Sequence, residues 1–147
     1  MPSTLVVGDV IHTHTVDIAY TANGSFRTAN EHGSRGVWWG GTNPAPATSD
    51  SLDFVNIGTT SNASDFGEMV EGESNGSATS DGIRGVHAGG IGAVDTMQYI
   101  TVTTLGNSID FNELSQARQE LAATSNGYRA LFAGGGPPEV NTIDYIE

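Results

Sequence analysis

The chain has 147 residues, 17 acidic and five basic, for a net charge of −12, with no lysine and no cysteine. So acidic a surface repels phosphate backbones, which excludes nucleic-acid binding and attachment to anionic membranes, and the missing thiols exclude disulfides. No apolar run approaches the roughly 18 residues of a membrane-spanning helix, and Met1-Pro2-Ser3-Thr4 lacks the basic and apolar regions of a signal peptide.

Twenty glycines with abundant Ser, Thr and Asn suit many short strands joined by tight turns. Along the chain one pattern recurs. Leu5-Val6-Val7-Gly8-Asp9 is a worn first copy. Full copies follow as Arg35-Gly36-Val37-Trp38-Trp39-Gly40-Gly41, Arg84-Gly85-Val86-His87-Ala88-Gly89-Gly90 and Arg129-Ala130-Leu131-Phe132-Ala133-Gly134-Gly135. Their spacings of 49 and 45 residues are those of a repeat architecture.

After each copy come a polar loop and an alternating segment: Val16 to Tyr20, Leu52 to Ile57, Met97 to Val102 and Ile143 to Ile146. Period-two alternation with β-branched and aromatic residues predicts strands. Leu52 and Phe54 face one side; Asp17, Asp53, Gln98 and Asp144 face the other. The loop from Thr42 to Ser51, with Pro44 and Pro46, reads as a surface excursion.

A third piece repeats without a gap. Asn62 to Met69 aligns on Asn107 to Leu114, which makes Phe66 and Phe111 equivalent core anchors; Phe26 stands in their place in the first copy. Leu121-Ala122-Ala123 then reads as a small-residue inner strand, and Asn126-Gly127 as a hairpin turn. Asp81-Gly82 and Gly33-Ser34 occupy that turn in earlier copies. A helix over Asn112 to Thr124 is the alternative, but it would break the repeat.

One unit is therefore inner strand, Gly-Gly strand, alternating strand, Phe strand. This order resembles the Kelch repeat of β-propellers, in particular the degenerate Kelch-like repeats of tailed, largely marine, bacteriophage proteins. The Gly-Gly pairs with their preceding Arg carry the resemblance, with Phe54, Tyr99, Tyr145 and the Asp-Phe pairs at 65–66 and 110–111. Phe66 and Phe111 replace the family's usual Trp. The resemblance implies an all-β chain of about three four-stranded, propeller-type blades. It forms a single repeat domain over 1–147, with units at 1–29, 30–73, 74–118 and 119–147. Propellers typically hold 4–8 blades, so incomplete end units point to homo-oligomerisation.

For chemistry the pattern offers little. His12-Thr13-His14 places two imidazoles on one face but brings no third ligand, so a hairpin loop is expected rather than a metal site. His32 stands alone. His87 occupies the position of Trp38 and Phe132, a core or inter-blade position. Arg27, Arg35, Arg84, Arg118 and Arg129 all fall at repeat positions, which predicts bonds to carbonyls or to an Asp between blades rather than an anion-binding ring. The acidic run Glu68 to Glu73 and the pair Asp50 and Asp53 lack the spacing of a calcium loop. No nucleophile elbow, phosphate loop or cofactor motif appears. The expectation is a non-catalytic, virion or extracellular structural protein partnered by copies of itself and by other virion proteins. The alternative is a lectin-like or adhesin-like module that uses Trp38, Trp39, Pro44 and Pro46 on a cell-surface glycan or a protein.

Overall fold

The computed structural model describes residues 18–20, 26–28, 34–42 and 47–147. These fall into two compact units, Met1–Gly33 and Ser34–Glu147. In the first, β1 (Ile18–Tyr20) pairs antiparallel with β2 (Phe26–Thr28).

The second unit holds three antiparallel sheets. The first sheet is β3 (Arg35–Thr42), β4 (Thr48–Asn56) and β5 (Ser64–Glu68). The second is β6 (Ser77–Ser80), β7 (Arg84–Ala88), β8 (Val94–Thr101) and β9 (Ile109–Arg118). The third is β10 (Ala122–Ser125), β11 (Ala130–Ala133) and β12 (Ile143–Ile146). Within each sheet, spatial neighbours are sequence neighbours. The stretch 112–124 is strand, turn and strand, not a helix.

The sheets are copies in register as well as in order. Trp38 lies opposite Asp53, His87 opposite Gln98, and Phe132 opposite Asp144. The hairpins are built alike too. Ser80 Oγ accepts from Gly82 N and Asp81 Oδ1 from Ile83 and Arg84 N; Ser125 Oγ accepts from Gly127 N and Asn126 Oδ1 from Tyr128 and Arg129 N. A short polar side chain thereby closes each turn locally.

Sequence alternation did not foretell how the Phe strands pair. Leu52 pairs with Gly67 and Asp53 with Asp65, so Phe66 is skipped; Met97 pairs with Asn112 and Gln98 with Asp110, so Phe111 is skipped. Each Phe is the extra residue of a β-bulge, a device that re-aims a side chain. Phe66 then meets Phe54 edge-on at 5.9 Å, and Phe111 meets Tyr99 at 5.8 Å.

The core lies between sheets. One cluster joins Leu52, Phe66 and Met69 to Ile100 of β8. The other joins Val86, Ala88, Met97 and Leu114 to Leu121 and Phe132. The second sheet is thus covered on both faces. Gln98, on the face opposite Met97 and Tyr99, is accordingly only 1% exposed.

Candidate functional site

The glycine corners are the most regular feature of the second unit. The first glycine of each pair has positive φ: 52° at Gly40, 69° at Gly89 and 68° at Gly134. That is a conformation glycine adopts without a Cβ penalty. A Cβ on Gly40 would fall on the Glu73 carbonyl oxygen, and one on Gly89 would lie 2.6 Å from the Arg118 carbonyl oxygen. Glu73 and Arg118 are equivalent residues where the chain leaves the first and second sheets, Glu73 in the linker after β5 and Arg118 at the end of β9. The second glycine completes the grip: Gly41 N donates to Glu73 O at 2.9 Å and Gly90 N to Arg118 O at 3.2 Å. The following residue binds the incoming linker, Ile91 N to Ser74 O and Gly136 N to Gln119 O. Glycine is needed where another backbone comes this close, and at Gly89 to Ile91 two chain segments, through Ser74 and Arg118, converge on one corner. At Gly134 a Cβ would come no nearer than 3.9 Å to any described atom, the closest being Val140 O, so that corner is open among the described residues.

The linkers also bond to each other. Asn75 and Glu120 are equivalent, both have positive φ, at 62° and 58°, and Glu120 N donates to Asn75 O at 2.7 Å. An αL residue that is not glycine is uncommon, and here it recurs at the same step of successive linkers.

Arg118 and Arg35 bond across sheets as the repeat positions lead one to expect, whereas Arg84 and Arg129, the equivalents of Arg35, do not. Arg118, fully buried, donates to Phe132 O at 3.1 Å and pairs with Asp144 at 2.7 Å, which ties the second sheet to the third. Burial alone would raise the Asp144 carboxyl, but hydrogen bonds from Ser115 and Arg118 outweigh it and hold the group below the usual carboxylate range. Arg35 lies 4.8 Å over the Phe54 ring and donates to Val102 O at 2.9 Å. Arg129 lies 4.7 Å over Tyr145 and pairs with Glu147. Arg84 is exposed, and its guanidinium bonds to no other described residue. The Arg27 side chain lies outside the described residues.

Between the first two sheets the polar face of β8 is used up by a linker. Val70 N donates to Gln98 Oε1 and to Ser108 Oγ, Ser108 Oγ donates to Gln98 Oε1, and Gln98 Nε2 donates to Glu71 O. The sequence signal for this network was slight: Gln98 stands where the other copies carry Asp.

His87 stacks on Trp39, with ring centroids 5.5 Å apart, and is 4% exposed. Burial pushes its pKa down to about 4. Burial, then the neighbouring Glu71 carboxylate, raises the pKa of Glu73. Glu73 Oε2, Ser74 Oγ and His87 Nδ1 are buried without a partner among the described residues. Among those residues no three His, Asp or Glu side chains are placed to hold a metal ion.

Of the candidate binding residues, Trp38 is 57% exposed while Trp39 packs against the first core cluster. Adjacent strand residues point to opposite faces, so the two indoles do not form one platform. Pro44, Pro46, His12, His14 and His32 lie outside the described residues. No protein-family model matches the chain, and no curated protein matches it.

Proposed function

We propose that the chain is a non-catalytic structural module: an array of Kelch-like, propeller-type blades that decorates a virus-like particle and assembles with further copies through its sheet edges. In this reading each sheet of the second unit is a blade, and the protein works in a virion or outside a cell.

The observation that carries the reading is β12. Its counterparts β4 and β8 are each flanked on both sides, by β3 and β5 and by β7 and β9; β12 pairs only with β11 among the described residues. Ile143 and Tyr145 of this edge are 62% and 61% exposed. An unguarded edge is a template for another strand. The charges nearby do not guard it, because Asp144 is drawn to Arg118 and Glu147 to Arg129. Deleting residues 142–147 then abolishes assembly in sedimentation velocity, whereas a full-length chain that stays monomeric at micromolar concentration refutes the proposal.

Exposed Trp38 supports the second reading, a lectin-like or adhesin-like module. A glycan array separates the two: selective hits lost in Trp38→Ala favour binding, and an array without selective hits favours the structural role.

A further inference from the structure

The second unit carries the tripeptide Ser-Asn-Gly twice, as Ser74-Asn75-Gly76 in a linker and as Ser125-Asn126-Gly127 in the hairpin between β10 and β11. Glycine after asparagine leaves the backbone nitrogen unhindered by a side chain, so that nitrogen can attack the asparagine side-chain carbonyl. The local sequence is the same at both places, and the fold treats the two oppositely.

At Asn126 the turn sets the reacting groups out. The residue is exposed to water. Its Oδ1 accepts from Tyr128 N and Arg129 N, each at 2.9 Å. Two backbone donors at such a distance are the arrangement that stabilises an oxyanion. Gly127 N donates to the Ser125 hydroxyl rather than to a strand partner. At Asn75 the φ of 62° is left-handed, a conformation whose ψ of about +47° turns the next nitrogen away from the side chain. The Asn75 carbonyl is held by Glu120 N at 2.7 Å. Gly76 is wedged as well, since a Cβ there would lie 2.4 Å from the His87 ring and 2.5 Å from Gly89 O. The rotation that ring closure requires has no room.

We propose that Asn126 is a self-modification site, at which water converts the side-chain amide to a carboxylate, and that the fold spares Asn75. Gly127 N loses its proton to solvent base and bonds to Asn126 Cγ, and the negative charge that develops on Oδ1 is met by the Tyr128 and Arg129 N–H groups. The bond from Cγ to the side-chain nitrogen then breaks, and ammonia leaves with a proton from solvent. Water opens the resulting cyclic imide at the side-chain carbonyl to give aspartate, or at the main-chain carbonyl to give isoaspartate. Water enters, ammonium leaves, and the chain gains one negative charge. The aspartate product fits a turn that the protein already builds: Asp81 stands at the equivalent position, and its Oδ1 accepts from Ile83 N at 2.8 Å and from Arg84 N at 2.6 Å. A charged acceptor makes the stronger bond, so conversion to aspartate keeps the turn and tightens it.

The test is incubation of the full chain at mildly alkaline pH, folded and in urea, followed by digestion and mass spectrometry of the peptides that contain positions 75 and 126. In the folded chain Asn126 converts faster than Asn75 by on the order of tenfold or more, the value of the hydrogen bond that Asn75 has first to break. In urea the two rates converge, because the tripeptides are identical. Asn126→Asp melts no lower than the parent chain. Equal rates in the folded chain, faster conversion at Asn75, a rate difference undiminished in urea, or an Asn126→Asp variant that melts earlier overturns the inference.

Discussion

His87 shows how one residue sets a pH dependence. Its folded pKa of about 4 lies below the ordinary imidazole value of 6.5. The unfolded chain therefore binds the extra proton first, and stability falls as pH drops from about 6.5 to about 4, by roughly 3 kcal/mol in all. Glu73 works the other way, since a raised carboxyl pKa adds stability on acidification. His87→Phe, which copies Phe132 at the equivalent register, should remove the loss; thermal melts at several pH values would expose an unchanged slope if His87 is not its source. The glycine corners give a second comparison at this scale. Gly89→Ala meets both a left-handed φ and a carbonyl at 2.6 Å, and should cost about 3 kcal/mol or more. Gly134→Ala meets only the φ, and should cost about 1–2 kcal/mol. Equal losses in denaturant melts would mean that linker convergence is not what selects glycine.

Among the elements, the bulged Phe strands were half legible. Gapless alignment of Asn62 to Met69 on Asn107 to Leu114 identified Phe66 and Phe111 as equivalents, and their pairing confirms the register. What alignment could not reveal is their different burial, with Phe66 2% exposed inside the first core cluster and Phe111 only half-buried at the margin of the second, because burial depends on packing between sheets. Phe66→Ala should cost about 3–5 kcal/mol, the usual range for a buried Phe, and Phe111→Ala about half of that. The strands and the hairpin turns were readable because alternation and Ser-Asp-Gly or Ser-Asn-Gly chemistry act locally. The Gln98 network was not, because its partners Val70 and Glu71 lie on a linker 28 and 27 residues away. Arg118 was readable as a carbonyl and Asp binder from its repeat position alone. Arg118→Met strands the partly buried Asp144 carboxylate and should cost about 2–4 kcal/mol at neutral pH; Asp144→Asn in the same background should recover part of that loss in urea melts.

At the scale of the molecule, the second unit is built by stacking like on like. Each pair of successive sheets shares a core cluster, and linkers bond to one another along the glycine corners. Such repeats gain stability from neighbours, and a terminal sheet gains it from whatever covers it. The acidic, lysine-free composition adds colloidal repulsion between chains, so the assembly proposed above would rest on the backbone pairing of β12 rather than on charge. The most direct measurement is hydrogen exchange of the β12 amides that point away from β11, followed across protein concentration. Pairing with a second copy predicts strong protection at high micromolar concentration that is lost on dilution, while β7 and β8 stay protected throughout. Fast exchange of those amides at every concentration would contradict the account.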